Sequence, residues 1–359
     1  MQREKVMERI NRTRKGYLDI AKAIGIIIVL INHIELSLGR ANEFLGVFFV
    51  SEFFLLAGMT FRQKPEETTK SFAIKKAKRL LFPYVLYSLF YLIWYSLRSI
   101  AAGQFSGADF WQKLAGCLYA RTYVFPAREN KIYLMEIMNA PMWFLPALFF
   151  SLLCYYILST YLGEKKKWGI LVLFIFAAVI HYTAPMLLPW SVDTSLAMLP
   201  LLYAGEKLAS KDYIKVMQKN FWLTPLLAVA FIFLTLRNGS GNISIGDYGK
   251  SMLLYLIISF LGSYLCIMLS FFLEKYLHFL GRMLMIIGEN TLDILCLHLF
   301  IFAILQTISP ILGISSATWL FKLFTIAAGI TIPIAIKNAI NFFKGAYKKY
   351  GCAHHKKER

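Results

Sequence analysis

Ten apolar segments of roughly 20 residues constrain this chain more than any other feature. Polar or basic links separate them, and segments of this length are typical of helices that cross a bilayer. Hydrophobic residues make up 58% of the chain and charged residues only 16%, against about 25% charged residues in soluble domains. The sequence therefore predicts an all-α, polytopic membrane protein, with spans at about 17–38, 44–61, 80–97, 142–162, 168–182, 192–208, 221–236, 251–272, 284–306 and 315–336.

Lysine and arginine are distributed unevenly among the links. If residue 1 is cytoplasmic, the cytoplasmic links carry 29 of the 39 basic residues, and the links on the other side carry 8. Because cytoplasmic links are enriched in Lys and Arg, this asymmetry predicts ten spans with both termini in the cytoplasm. The predicted organisation is a basic leader at 1–16, a ten-helix membrane domain at 17–336 and a basic cytoplasmic tail at 337–359.

The formal net charge of +19 would suggest nucleic-acid binding in a soluble protein. Here the basic residues lie between apolar segments, so membrane topology and anionic lipid head groups explain them better. We therefore expect membrane lipid as a partner and no nucleic acid; the sequence predicts no oligomeric state. Five widely spaced cysteines show no metal-binding spacing, so we also expect no metal.

The first segment, YLDIAKAIGIIIVLINHIELSL, carries two ionisable groups where lipid makes charge costly. Lys22 and His33 are eleven residues apart, which is three helical turns, so both lie on one helix face about 16 Å apart along the axis. Such groups usually mark functional sites, and the pair predicts a shared cavity. His33 is a candidate general base; the alternative is a hydrogen bond that joins two helices.

Several other residues are candidates, each with a structural alternative. Lys22 is a candidate for binding a phosphate, although it could also extend to the membrane interface or pair with Asp19. Arg79, at the end of the basic link, is a second anion-binding candidate, or simply a topology charge. Glu52 lies deep in its span and could orient His33 or contact a polar substrate.

The substrate-binding candidates lie in two later segments. Trp143 opens the fourth span, where it could stack on a sugar or belong to an interfacial aromatic belt. Asn290, Asp293 and His298 lie in the ninth span, where each could contact a polar substrate or form a structural hydrogen bond. The chain has no GxxxxGK[ST], GxGxxG, GxSxG or HExxH motif, which disfavours nucleotide hydrolysis, dinucleotide-dependent redox chemistry, α/β-hydrolase chemistry and zinc proteolysis.

Five stretches together resemble the acyltransferase 3 family of integral membrane acyltransferases. They are YLDIAKAIGIIIVLINH, with ten positions between its lysine and histidine, FFVSEFFLLAGMTF, KKAKRLLFPYVLY, PMWFLPALFF and GENTLDILCLHLF. The last two are similar to the branch related to fucose 4-O-acetylase. One position departs from the family: many members have a glutamate five residues after the tryptophan, where this chain has Leu148.

The resemblance implies transfer of an acyl group, usually acetyl, from cytoplasmic acyl-CoA to a sugar or lipid-linked glycan at the outer face of the cell membrane. It implies catalysis by His33, with Glu52 as a candidate substitute for the missing carboxylate, and donor binding by Lys22 and Arg79. Two other classes stay open. A transporter of lipid-linked saccharides would favour inverted repeats, which we do not find in the sequence; in a sensor or scaffold, His33 and Glu52 would only join helices.

Overall fold

The computed structural model describes residues 16–125 and 137–354, which contain α-helices, short 3₁₀ turns and loops but no β-strand. The all-α prediction is confirmed. In chain order the α-helices are α1 (Gly16–His33), α2 (Ala41–Phe48), α3 (Ser51–Met59), α4 (Thr69–Ala101), α5 (Gly107–Tyr119), α6 (Phe144–Leu162), α7 (Lys166–Thr183), α8 (Val192–Ala197), α9 (Leu199–Leu208), α10 (Lys211–Lys219), α11 (Thr224–Asn238), α12 (Met252–Tyr276), α13 (His278–Glu289), α14 (Thr291–Ile308) and α15 (Trp319–His354).

The helices make this chain a multi-pass membrane protein. Among the described residues, seven helical segments are long and apolar enough to cross a membrane, or eight if the bent pair α2 and α3 forms one span. One of these segments, residues 140–183, contains both α6 and α7. The number ten and the cytoplasmic termini stay predictions, and the predicted leader lies outside the described residues except for Gly16.

Helix α1 ends at His33, so the predicted first span is too long by its last five residues. Beyond His33, Glu35 adopts a left-handed backbone conformation with φ 53°. The side chain of Asn42 accepts a hydrogen bond from the amide of Leu38 at 2.6 Å, and Lys322 Nζ donates to the carbonyl of Glu35 at 2.8 Å. These bonds satisfy backbone groups of the loop that follows the helix. His33 therefore lies in the last turn of α1, next to a loop.

Three other predicted spans are interrupted, so a continuous helix is wrong for each. The second is bent by 44° between α2 and α3. The sixth breaks at Met198, two residues before Pro200, whose nitrogen cannot donate a hydrogen bond. The ninth breaks at Asn290, whose side chain donates to the carbonyl of Ile286 at 2.7 Å.

The basic link between the second and third spans is largely helical. Thr68 caps the start of α4, because its Oγ1 accepts the amide of Ser71 at 3.2 Å. From there α4 continues as one helix to Ala101. Arg79 and Lys76 are therefore three residues apart on one helix, close to the same face. At the other end of the chain, α15 continues through the predicted boundary at 337.

Glycines bring two pairs of helices into direct backbone contact. A Cβ atom at Gly288 of α13 would overlap the carbonyl oxygen of Asp19 in α1. Gly58 of α3 and Gly205 of α9 likewise face the backbone of the opposite helix. Membrane helices approach closely through such small residues. As a result, the end of α13 and the break at Asn290 lie beside the first turns of α1.

Helix α12 shows which parts of the molecule lie at opposite ends. Near its C-terminal end, the Glu274 carboxylate accepts the backbone amides of Gly16 and Tyr17, at the start of α1. Near its other end, the ring of Tyr255 lies against Gly241. Nineteen residues of helix separate these two points, which is about 29 Å. The link that contains Gly241 is therefore far from the start of α1.

Candidate active site

A cavity of about 930 Å³ extends through the helices. We call one end the basic end, because cationic side chains outnumber carboxylates there: Lys22, Lys76, Arg79 and Lys337 line it together with Glu289 and Asp293. We call the other the neutral end, because its polar lining residues are uncharged: Thr122, Tyr123, Asn242 and Ser244. Helix α1 contributes Lys22 to the basic end and His33 farther along the wall. The shared cavity expected from their spacing is therefore present.

A second histidine lies behind His33. The ring centroids of His33 and His298 are 5.0 Å apart, and His298 Nε2 is 3.4 Å from His33 Nδ1. The His33 side chain is exposed to the cavity, whereas His298 is fully buried and is not part of the cavity wall. The structure thus brings together two residues from predicted spans one and nine.

The hydrogen bonds define the tautomer of each ring. His33 Nδ1 lies 2.8 Å from the carbonyl oxygen of Val29, and His298 Nδ1 lies 3.0 Å from those of Ile294 and Leu295. Because a carbonyl oxygen only accepts hydrogen bonds, each Nδ1 carries the proton. His298 Nε2 is then an acceptor that faces the Nδ1–H of His33. This arrangement leaves the lone pair of His33 on Nε2, the atom that a general base needs.

Two of the cations at the basic end lie in ion pairs. Lys22 Nζ is 2.9 Å from Asp19 Oδ1 on the same helix, which is the pairing that the sequence left open. Lys337 Nζ of α15 is 2.7 Å from Asp293 Oδ2 of α14. Arg79 and Lys76 contribute further positive charge from α4. The basic end therefore presents cations from three sides of the cavity, as binding of a multiply charged anion requires.

The neutral end is held by a buried ion pair outside the cavity wall. Arg121 is completely buried and pairs with the carboxylate of Asp193. The same guanidinium donates to the carbonyl oxygens of Leu188 at 3.2 Å and Ser244 at 3.3 Å. Burial, reinforced by the nearby Asp193, raises the pKa of the Tyr248 hydroxyl above its usual range, so that group stays neutral. Arg121 thus fixes the loops that carry the uncharged lining.

Comparison with known families assigns the chain to one of them. The family model of the acyltransferase 3 domain matches residues 15–337, nearly the whole chain. The chain belongs to the acyltransferase 3 family. It is therefore a membrane acyltransferase, and the matched region contains the whole cavity wall. No curated protein and no solved structure matches the chain.

The structure of this acyltransferase does not bring Glu52 to His33. Glu52 is fully buried and is not part of the cavity wall. Its Oε2 would lie 3.2 Å from a Cβ atom at Gly25, and its carboxyl group lies beside the thiol of Cys266. Gly25 precedes His33 by eight residues, or about 12 Å of helix. At that separation the Glu52 carboxylate makes no hydrogen bond to the imidazole.

The predicted substrate-binding residues separate into three groups. Trp143 lines the cavity and is 5% exposed, and Leu148, at the position of the family glutamate, lines it as well. Asp293 lies at the basic end, paired with Lys337, rather than beside Trp143. Asn290 interrupts two helices and is not part of the cavity wall. The structure therefore brings only Trp143 to the part of the cavity away from the cations.

Sequence reasoning missed two cations of the basic end. Lys76 precedes Arg79 by three residues. On a helix this spacing places both side chains on one face, but the sequence does not show that the link is helical. Lys337 opens the predicted tail, where the sequence predicts only a topology charge. Nothing in the sequence indicates that it reaches the cavity, because the contact depends on how α15 packs against α14.

Proposed function

We propose that this acyltransferase is an O-acetyltransferase of the cell membrane, which moves an acetyl group from cytoplasmic acetyl-CoA to a hydroxyl group of a cell-surface or lipid-linked sugar. The carrying observation is that His33 lies in the wall of a cavity with cations at one end and uncharged polar groups at the other. Cations suit the phosphates of CoA, and neutral hydrogen-bonding groups suit a sugar.

In this proposal the donor phosphates bind at the basic end, where Lys22 and Arg79 are the main contacts. The pantetheine arm extends along α1 toward His33, over the roughly 16 Å that separate the two side chains along the helix axis. The thioester then lies beside the imidazole. The acceptor enters from the neutral end, where Trp143 offers an aromatic face to the sugar ring. Donor and acceptor approach His33 from opposite sides.

His33 acts as general base at Nε2. It removes the proton from the acceptor hydroxyl while the oxygen attacks the thioester carbonyl. A new C–O bond forms, the C–S bond breaks, and the CoA thiolate takes the proton back from the imidazolium. His298 and the carbonyl of Val29 accept the Nδ1–H of His33 throughout and so keep the ring in the tautomer that the reaction needs. The products are an acetyl ester and CoA.

Asn32 is the proposed donor to the developing oxyanion. It lines the cavity beside His33. One N–H of its side chain is donated to the carbonyl of Ile28 at 3.0 Å. An amide group has two such N–H donors, so the second is available for the oxygen of the tetrahedral intermediate.

The proposal is tested by mass spectrometry of surface glycans from cells that carry the wild-type chain, the His33→Ala variant or no copy. We expect the wild type to add the mass of one acetyl group per modified unit, and both other samples to lack it. The exposed His278 provides the matched control, because His278→Ala should keep the modification. Glycans that remain acetylated in His33→Ala cells would overturn the proposal, and loss of the glycan itself would indicate a transporter.

A further inference from the structure

The ion pair between Lys337 and Asp293 joins the last helix to the basic end of the cavity. The Nζ and Oδ2 atoms are 2.7 Å apart, and both residues line the cavity. The side chains are 37% and 25% exposed, respectively, so a solvated ligand can reach them. Half-exposed ion pairs contribute little to stability. A structural role alone therefore does not explain why this pair lies in the cavity wall.

The two ion pairs of the basic end differ in how they are built. Lys22 and Asp19 lie three residues apart on one helix, where such pairs form from local geometry alone. Lys337 and Asp293 come from α15 and α14, and they meet only because these helices pack together. The carboxylate of Asp293 thus occupies the position beside Lys337 that an anionic ligand group would take.

We propose that Lys337 is a further donor-binding residue, and that Asp293 is a counter-ion which the nucleotide phosphates of the donor displace. This inference rests on the proposed function, because it takes the donor to be an acyl-CoA. Lys337 then joins Lys22, Lys76 and Arg79 around the phosphates, and Asp293 competes with them for its ammonium group. Removal of the cation and removal of the carboxylate must therefore change donor affinity in opposite directions.

The test is binding of CoA and of adenosine 3′,5′-bisphosphate to the full chain in nanodiscs of zwitterionic lipid, measured by titration calorimetry. Lys337→Met should weaken binding about tenfold, which corresponds to the loss of one charge-assisted hydrogen bond. Asp293→Asn should strengthen binding several-fold, because its amide no longer competes. If the ion pair were only structural, both substitutions would change the binding affinity in the same direction.

Lys322→Met is the matched control on the same helix. Lys322 donates to the carbonyl of Glu35 and is not part of the cavity wall, so its loss should leave nucleotide affinity unchanged. Equal affinities for wild type, Lys337→Met and Asp293→Asn would overturn the inference. So would an effect of Lys337→Met that appears only in nanodiscs with anionic lipid, since the lysine would then bind a lipid head group.

Failure of this inference is distinguishable from failure of the proposed function. If the wild type binds CoA and transfers acetyl groups while the two variants behave like it, only the role of Lys337 is wrong. If the wild type binds no CoA at all, the proposed donor is wrong, and the role of Lys337 falls with it.

Discussion

The two ends of the cavity differ in where their charged side chains lie. At the basic end, cations from α1, α4 and α15 line the cavity directly; one of them pairs with the buried Asp19 and another with the partly exposed Asp293. At the neutral end, the buried Arg121 and Asp193 neutralise each other behind the wall. One end keeps its charges accessible, whereas the other uses them to hold loops in place.

This difference indicates that the charged residues have two roles, ligand binding at the basic end and stabilisation at the neutral end. A charge that binds a ligand has to remain partly solvated and exchangeable, so its removal changes affinity more than stability. A fully buried pair has lost its hydration, and removal of one partner leaves an uncompensated charge. Substitutions at the basic end should therefore change ligand affinity, and substitutions at the neutral end should change stability. Substitution of His33, which lies between them, should change the catalytic rate.

The largest effect should come from His33 itself. We expect His33→Ala to lower kcat about 10²- to 10⁴-fold, because it removes the general base. CoA affinity should stay close to that of the wild type, since the cations of the basic end are intact. The measurement pairs acetyl-CoA turnover with CoA titration, and a near-normal kcat would remove His33 from the chemistry.

Substitution of the buried ion pair at the neutral end should lower the stability of the protein. Arg121→Met should cost about 3–5 kcal/mol, because it leaves Asp193 buried without a partner. Thermal unfolding in detergent measures this change, and the exposed Arg98 supplies the control substitution Arg98→Met, which should change little. If Arg121→Met folds as well as Arg98→Met, the buried pair does not hold the neutral end.

Loss of the contact between His33 and His298 should lower the catalytic rate by an intermediate amount. Loss of one of the two acceptors that hold the Nδ1–H of His33 should lower kcat roughly 10- to 100-fold in His298→Leu. His298→Gln keeps an acceptor and should recover part of the rate. KM for acetyl-CoA should not change in either variant; a raised KM with normal kcat would contradict a positioning role.

The smallest effect should come from Glu52, although the sequence suggested it as a catalytic residue. Glu52→Gln keeps the shape of a side chain that lies outside the cavity, so kcat/KM should change less than about threefold, or ~0.6 kcal/mol. A loss as large as that of His33→Ala would show that Glu52 reaches the reacting groups after all.

The sequence predicts the parts of this molecule that depend on local periodicity. The apolar segments predict an all-α membrane protein, and three helical turns place Lys22 and His33 in one cavity. The same reasoning continued the first span through Glu35, because only tertiary contacts from Asn42 and Lys322 reveal where the helix ends.

Long-range packing determines what the sequence could not show. Glu52 looked catalytic because a carboxylate inside lipid is costly, but its place between Gly25 and Cys266 depends on how three helices meet. The sequence suggests His298 as a substrate contact, because nothing in its own segment reveals that its ring lies against that of His33. Spacing within one helix is visible in a sequence, whereas neighbours from other helices are not.

The central claim is that the basic and neutral ends open on opposite faces of the membrane, with His33 accessible from both. The most direct test introduces Lys76→Cys or Ser244→Cys into a chain whose 5 native cysteines are replaced by serine, and labels sealed vesicles with a membrane-impermeant thiol reagent. We predict that the cysteine at 76 reacts only from the face that carries the C-terminus and is protected by CoA, and that the cysteine at 244 reacts only from the opposite face and is not protected. Labelling of both positions from the same face would contradict this account.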